Sequence, residues 1–339
     1  AFSPDNTLVA TSSTDGTVIL WDLKTGQPYT APLLGHSDWI RPLAFTPDGT
    51  MLAYVGSDST GASEIHIRHL ADGWTRTLNG TKGATYLFWS PDSREVGFFE
   101  GSAIMRVPLN GGPSLPIVSA TNVKGGSWNQ FDEVVYAPTH MSSIMLVPAT
   151  GGDPVAVTNV EAETGARSHR LPKWLPDGRH FVYISVAKSD NNLDLDCMAR
   201  IVEPATGRSV DLQRTQSSAQ IVAGHLLYPH DGVLMARPLD LESFEFTAPA
   251  FPILQDVMMV RGAHLSGFSA SEANVLTFVR GTSQVQGSPL VRFTSAGEPI
   301  EPVSDPMRIL GLNVAPDGSR ICVGVVDDRS GTLDLWQVE

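Results

Sequence analysis

The chain has 339 residues, 42% apolar and 17% charged, and its 31 glycines and 24 prolines fall in no low-complexity stretch. That balance excludes a disordered tail, a coiled coil and a collagen-like fibre. Lys and Arg number 23 against 36 Asp and Glu, a formal charge of −13 with no local basic cluster, so neither nucleic acid nor an anionic lipid surface is expected as a partner.

No run reaches the roughly 18 apolar residues that a membrane helix requires, so direct membrane insertion of this chain is not expected. A charged start followed by an apolar segment is absent too, so no signal peptide is expected. Cys197 and Cys322 are too far apart for a metal knuckle and too few for a disulfide framework. Each reads as a small apolar strand residue, and their redox state and the compartment stay open.

Taken in chain order, an aromatic or apolar residue precedes a Pro-Asp turn five times: Phe2-Ser3-Pro4-Asp5, Phe45-Thr46-Pro47-Asp48, Trp89-Ser90-Pro91-Asp92, Trp174-Leu175-Pro176-Asp177 and Val314-Ala315-Pro316-Asp317. Weaker copies at Trp128-Asn129-Gln130-Phe131, Val222-Ala223-Gly224-His225 and Phe268-Ser269-Ala270-Ser271 bring the total to eight, at steps of 39 to 48 residues. Pro fixes φ, and Asp followed by a small residue suits a tight corner. After each turn comes a β-rich run such as Met51-Leu52-Ala53-Tyr54 or His180-Phe181-Val182-Tyr183, then an alternating run such as Val18-Ile19-Leu20-Trp21 or Ile65-His66-Ile67-Arg68, then a glycine hairpin. Four short antiparallel strands per repeat describe a propeller blade. The expectation is an all-β chain forming one β-propeller over residues 1–339, with eight four-stranded blades and seven as the alternative. The blades fall near 1–41, 42–85, 86–125, 126–170, 171–219, 220–264, 265–310 and 311–339, the first and last incomplete.

These repeats resemble the WD-repeat and Tol-B-type propellers. The first unit carries Leu20-Trp21-Asp22 and Gly35-His36, whereas Val107-Pro108-Leu109-Asn110-Gly111-Gly112 and Trp174-Leu175-Pro176-Asp177-Gly178 resemble the looser Tol-B-type pattern. The WD-repeat likeness implies structural roles for Trp21, Asp22 and His36, although the strand paired with His36 reads Ile65-His66-Ile67-Arg68 and lacks the Trp-Asp pair. Asp48, Asp92, Asp177 and Asp317 are read as turn-forming structural residues. The mixture is similar to the C-terminal propellers of bacterial transmembrane Ser/Thr protein kinases. That likeness implies a sensor domain outside the cytoplasmic membrane, tethered to an upstream kinase and membrane helix.

No G-x-S-x-G elbow, H-E-x-x-H, Walker loop, dinucleotide fingerprint or kinase motif occurs. No cofactor and no metal is expected. The run Asp190-Asn191-Asn192-Leu193-Asp194-Leu195-Asp196 offers closely spaced oxygens but lacks the glycine and terminal Glu of a calcium loop, and reads as a solvated loop. His169-Arg170, just ahead of the fifth innermost strand, reads either as a ligand contact or as a polar loop.

A small-molecule site is expected at the channel mouth, where side chains from several blades converge. Its candidates are Arg41, Tyr86, Lys124, Arg170, Gln220, His264 and Arg308; four of these are cations, which points to an anionic ligand. The recurring residues all have structural work, so the expected function is a non-catalytic recognition module, a sensor or scaffold for a protein or small-molecule ligand. The alternative is a hydrolase or lyase with a site assembled from several blades.

Overall fold

The computed structural model describes residues 1, 3–5, 7–12, 17–25, 27–33, 43–57, 62–163, 165–187, 197–255 and 257. From there on it describes the strands between 259 and 338, where only Phe268 has a described side chain. The chain divides into two compact units, residues 1–281 and 282–339.

All described elements are strands. The first unit opens with the hairpin β1 (Leu8–Ser12) and β2 (Val18–Asp22). Five four-stranded antiparallel sheets follow, each meandering from first strand to fourth. The first holds β3 (Leu43–Phe45), β4 (Met51–Ser57), β5 (Ser63–His69) and β6 (Thr75–Thr77); the second holds β7 (Ala84–Trp89), β8 (Glu95–Glu100), β9 (Ala103–Pro108) and β10 (Leu115–Ser119). The third comprises β11 (Gly126–Trp128), β12 (Glu133–Tyr136), β13 (Met145–Pro148) and β14 (Val155–Ala156). The fourth is the largest, with β15 (Ala166–Trp174), β16 (Phe181–Ala187), β17 (Cys197–Glu203) and β18 (Arg208–Thr215). The fifth comprises β19 (Gln220–Val222), β20 (His225–His230), β21 (Val233–Pro238) and β22 (Phe251–Leu254). The two-stranded sheets β23 (Met259–Val260) with β24 (Leu265–Ser266) and β25 (Phe268–Ala270) with β26 (Leu276–Phe278) complete the unit. The second unit pairs β27 (Val291–Phe293) with β28 (Pro299–Pro302), and β29 (Ile309–Val314), β30 (Ile321–Val326) and β31 (Leu333–Val338) form a three-stranded sheet.

The first strands β3, β7, β11 and β15 lie side by side in succession, which is the arrangement of propeller blades. The blade count needs correction. Five blades are complete among the described residues, not eight or seven. The first, seventh and eighth repeats have strands in sheets of only two or three, so the period marks repeat units without guaranteeing four paired strands in each.

The repeat works through one local device. Just ahead of the Pro-Asp pair a hydroxyl clasps the turn: Ser3 Oγ accepts from the Leu8 amide at 2.9 Å, Thr46 Oγ1 from Met51 at 3.0 Å, and Ser90 Oγ from Glu95 at 2.9 Å. In the degenerate fourth copy Asn129 Oδ1 replaces the hydroxyl and accepts from the Phe131 and Glu133 amides, both at 3.0 Å. The turn's last residue adopts positive φ whether it is glycine or not: Gly49 at 73°, Ser93 at 61°, Asp132 at 59° and Gly178 at 65°. Between successive sheets sits the core, where Ile65, Ile67, Trp89, Val96 and Phe98 form one cluster and Trp128, Val134 and Tyr136 belong to the next. Each fully buried side chain of this size contributes about 1.5–3 kcal/mol, so the inter-blade layers hold successive sheets together.

Candidate functional site

The expected structural residues are found at strand ends and turns. Trp21 Nε1 donates to Thr11 Oγ1 at 2.8 Å across the β1–β2 hairpin, and Asp22 Oδ1 accepts from the Thr25 amide at 2.8 Å and its hydroxyl at 3.0 Å. Asp48 accepts from the Thr50 amide at 2.9 Å, Asp92 from Ser90 Oγ at 2.7 Å, and Asp177 from the Arg179 amide at 2.8 Å and from His180 Nδ1 at 2.5 Å. Burial raises the Asp177 carboxyl, but the hydrogen bonds from His180 and Arg179 outweigh it and hold it below the usual range. His36 and Asp317 lie outside the described residues.

Of the channel-mouth candidates, Arg41, His264 and Arg308 also lie outside the described residues, as does the Asp190–Asp196 run. Tyr86 stacks on Phe99 at 4.9 Å, and burial pushes its phenol up. Lys124, two residues ahead of β11, lies beside β15, the strand that carries Arg170, where the Leu171 amide donates to Lys124 O at 2.8 Å. The Arg170 guanidinium turns inward, donating to Ser168 Oγ at 2.7 Å and to His140 O at 3.1 Å. Gln220, half-buried, begins β19. None of these four lines the principal cavity.

That cavity, of about 1080 Å³, lies instead between the third and fourth blades. Its origin is a mismatch of strand lengths: β14 has two residues, whereas β17 and β18 run to seven and eight. So short an outer strand leaves the facing side of the next blade uncovered. Met145, Ala156 and Val157 form one wall, and Val202, Gly207 and Ser209 form the other.

A polar network closes one end. His169 on β15 is fully buried, with Nδ1 2.8 Å from Thr158 Oγ1 and Nε2 2.9 Å from Glu163 Oε2. The carboxylate only accepts, so Nε2 carries the proton and Nδ1 accepts from the Thr158 hydroxyl; that hydroxyl in turn accepts from the Ile144 amide at 2.8 Å. Burial lowers the His169 pKa, and the pull of Glu163 does not offset it, so the ring is neutral at pH 7. Glu163 Oε1 accepts from Ser185 Oγ at 2.6 Å, and Oε2 also accepts from Arg200 NH1. Arg200 Nε lies 2.7 Å from Asp211 Oδ1, an ion pair in which the N–H points away from the oxygen, so charge rather than a directed bond holds it. Burial opposes the Arg200 charge, but Tyr183, Glu163 and Asp211 outweigh it and raise its pKa. Burial likewise pushes up the Tyr183 phenol, whose ring meets His169 edge-on at 4.9 Å. A second cavity of about 400 Å³ lies behind Glu163 and Arg200, so this pair is a wall common to both.

A third cavity, about 580 Å³, shares Val157 with the first and continues the groove past Trp174, Phe131 and Val155 to Glu133, Arg179 and Glu203. Among the described residues, no group of three or more His, Cys, Asp or Glu side chains converges to hold a metal ion.

The sequence singled out His169 but placed it ahead of a strand; β15 extends back to Ala166 through two register shifts. Glu163, Tyr183 and Arg200 were missed. The available signal for Arg200 was a charge at the centre of a third strand, between the buried Ala199 and Ile201.

A family model for the WD domain, G-beta repeat, matches residues 1–22. WD repeat and SOCS box-containing protein 1 of Homo sapiens is 42% identical over 57 residues, an alignment covering 16% of this chain and only 14% of that protein. Among solved structures, an oligogalacturonate lyase in complex with manganese aligns over 100% of this chain and 87% of its own at TM-score 0.57 and 16% identity. TolB from Acinetobacter baumannii aligns over 75% of this chain and 62% of its own at TM-score 0.51 and 17% identity. The sheets show a β-propeller fold, and the WD-repeat match at the first unit and the TolB structural neighbour support a propeller of the WD-repeat/TolB type.

Proposed function

We propose that this chain is a non-catalytic recognition module that binds its ligand in the groove between the third and fourth blades. The observation that carries the reading is the saturation of the groove's chemistry. Both His169 nitrogens are engaged, and the Glu163 carboxylate accepts from Ser185, His169 and Arg200, so neither offers a free base. A general base needs an open lone pair beside the substrate; a rigid, internally satisfied wall beside a large groove suits binding. Protein interaction is the use that the WD-repeat match supports. We infer further, by the likeness to kinase-linked bacterial propellers, a sensor or scaffold role within a larger signalling protein.

Thermal-shift screening of the purified chain, run beside turnover assays on ester, lactone, glycoside and peptide substrates, tests the reading. A saturable melting shift without turnover is expected. Turnover abolished by one groove substitution would overturn it.

The second reading is a lyase or hydrolase with a site drawn from several elements. It is favoured by one observation: Glu163, His169, Tyr183 and Arg200 wall the same cavity. Incubation with oligogalacturonate, with and without manganese, should give no unsaturated product under the first reading.

A further inference from the structure

Of the nine large apolar side chains most exposed among the described residues, the three most exposed all lie on the third blade: Phe131 at 56%, Met141 at 60% and Val155 at 61%. All three line the inter-blade groove, Met141 in the larger cavity, Phe131 and Val155 in its continuation. Isolated exposed hydrophobes are ordinary, but such residues gathered along one groove mark an interaction surface. The two cavities meet at Val157, and their combined volume exceeds the roughly 300–1,000 Å³ of a typical small-molecule pocket. The shape suits a length of chain better than a compact ligand.

Charge narrows the choice. Glu133, Glu161 and Glu203 line the groove against Arg179, while Glu163 and Arg200 in its wall are paired with each other, in a chain whose formal charge is −13. Arg200 is already committed to Glu163 and Asp211. An anionic occupant would meet an excess of carboxylates, whereas a cationic one is drawn in.

We propose that the groove receives an extended segment of a partner protein in which apolar side chains alternate with Lys or Arg. The apolar side chains cover Phe131, Met141 and Val155, and the cations face the glutamates at the rim. This rests on the recognition reading and names the class of partner.

The test is fluorescence anisotropy with three labelled peptides of equal length: alternating Val and Lys, alternating Ser and Lys, and alternating Val and Glu. The Val/Lys peptide should bind about tenfold more tightly than Ser/Lys, equivalent to about 1.4 kcal/mol, and Val/Glu should not bind. The paired exposed substitutions Phe131→Ser and Val155→Ser should weaken Val/Lys binding at least about fivefold, while Phe251→Ser, outside the groove, should leave it unchanged. Glu161→Lys should weaken it and flatten its salt dependence. Equal binding of Val/Lys and Ser/Lys, no binding of Val/Lys, or loss through Phe251→Ser but not through the paired groove change, overturns the proposal. A ligand-induced melting shift in the screen above, with no peptide binding, leaves the recognition reading standing without it.

Discussion

The amide of Asp48 donates to Ser93 Oγ at 3.0 Å, fastening the Pro-Asp turn of one blade to the corresponding turn of the next across 45 residues. Ser93 holds positive φ, at 61°, where Gly49 and Gly178 stand in equivalent turns. An L-residue there costs about 1–2 kcal/mol, and the inter-blade hydrogen bond returns a comparable amount. Ser93→Ala, which keeps the strain and loses the bond, should destabilise by about 1–2 kcal/mol. Ser93→Gly loses the bond and the strain together, and should recover about 1 kcal/mol of that deficit. Urea unfolding of the three proteins decides it; a Gly variant weaker than the Ala variant would refute the assignment.

Gly97 on β8 is enforced by packing rather than by backbone angle. A Cβ there would sit 2.4 Å from Phe88 Cε2 and 2.5 Å from Cζ, inside the layer that Phe88 shares with Phe99 and Trp128. Gly97→Ala should therefore destabilise by about 1–3 kcal/mol through overpacking. Phe88→Leu should be destabilising alone yet should reduce the cost of Gly97→Ala when combined with it. Additive effects in the double variant would show that the two residues do not compete for space.

The architecture was legible because the repeat is local. Pro-Asp turns, clasping hydroxyls and alternating strands recur at one spacing, and even the degenerate copy at Asn129 keeps the clasp with a different side chain. The number of complete blades was not legible, since outer strands such as β14, with two residues, carry almost no pattern of their own. The groove follows from that shortness, which is a property of two neighbouring blades together. His169 stood out as a polar residue near a first strand, but its partners Thr158, Glu163, Ser185 and Arg200 come from a connecting loop and two other strands. No linear motif links them.

Because burial lowers the His169 pKa, the folded state binds its proton more weakly than the unfolded chain, whose histidine titrates near about 6.5. The sign follows: the contribution is fully present above that value and is lost as pH falls through the lowered folded pKa. Stability should drop on acidification from about pH 7.5 to about pH 5, and His169→Gln should be less stable at neutral pH but show a shallower slope over that range. Chemical denaturation midpoints across the range supply the measurement. Parallel slopes for the two proteins would place the acid sensitivity elsewhere.

The Glu163–Arg200 pair makes the last prediction, because the two partners are not equivalent. Both side chains are 18% exposed, so removing one strands a largely desolvated charge, a change that costs about 3–5 kcal/mol when burial is complete and somewhat less here. Arg200→Met leaves Glu163 and Asp211 without their common cation and should destabilise by about 2–3 kcal/mol. Glu163→Gln leaves Arg200 beside Asp211 and keeps an amide oxygen to accept from His169 Nε2, so its cost should be nearer about 1 kcal/mol. The double variant carries no stranded charge at the pair and should be more stable than the sum of the single changes implies, with a coupling of about 1 kcal/mol or more. Thermal and urea unfolding of the four proteins close the cycle. Equal costs for the two single changes would mean that Asp211 does not compensate for the loss of Glu163, and additivity in the double would mean that Asp211 rather than Glu163 is the working partner of Arg200.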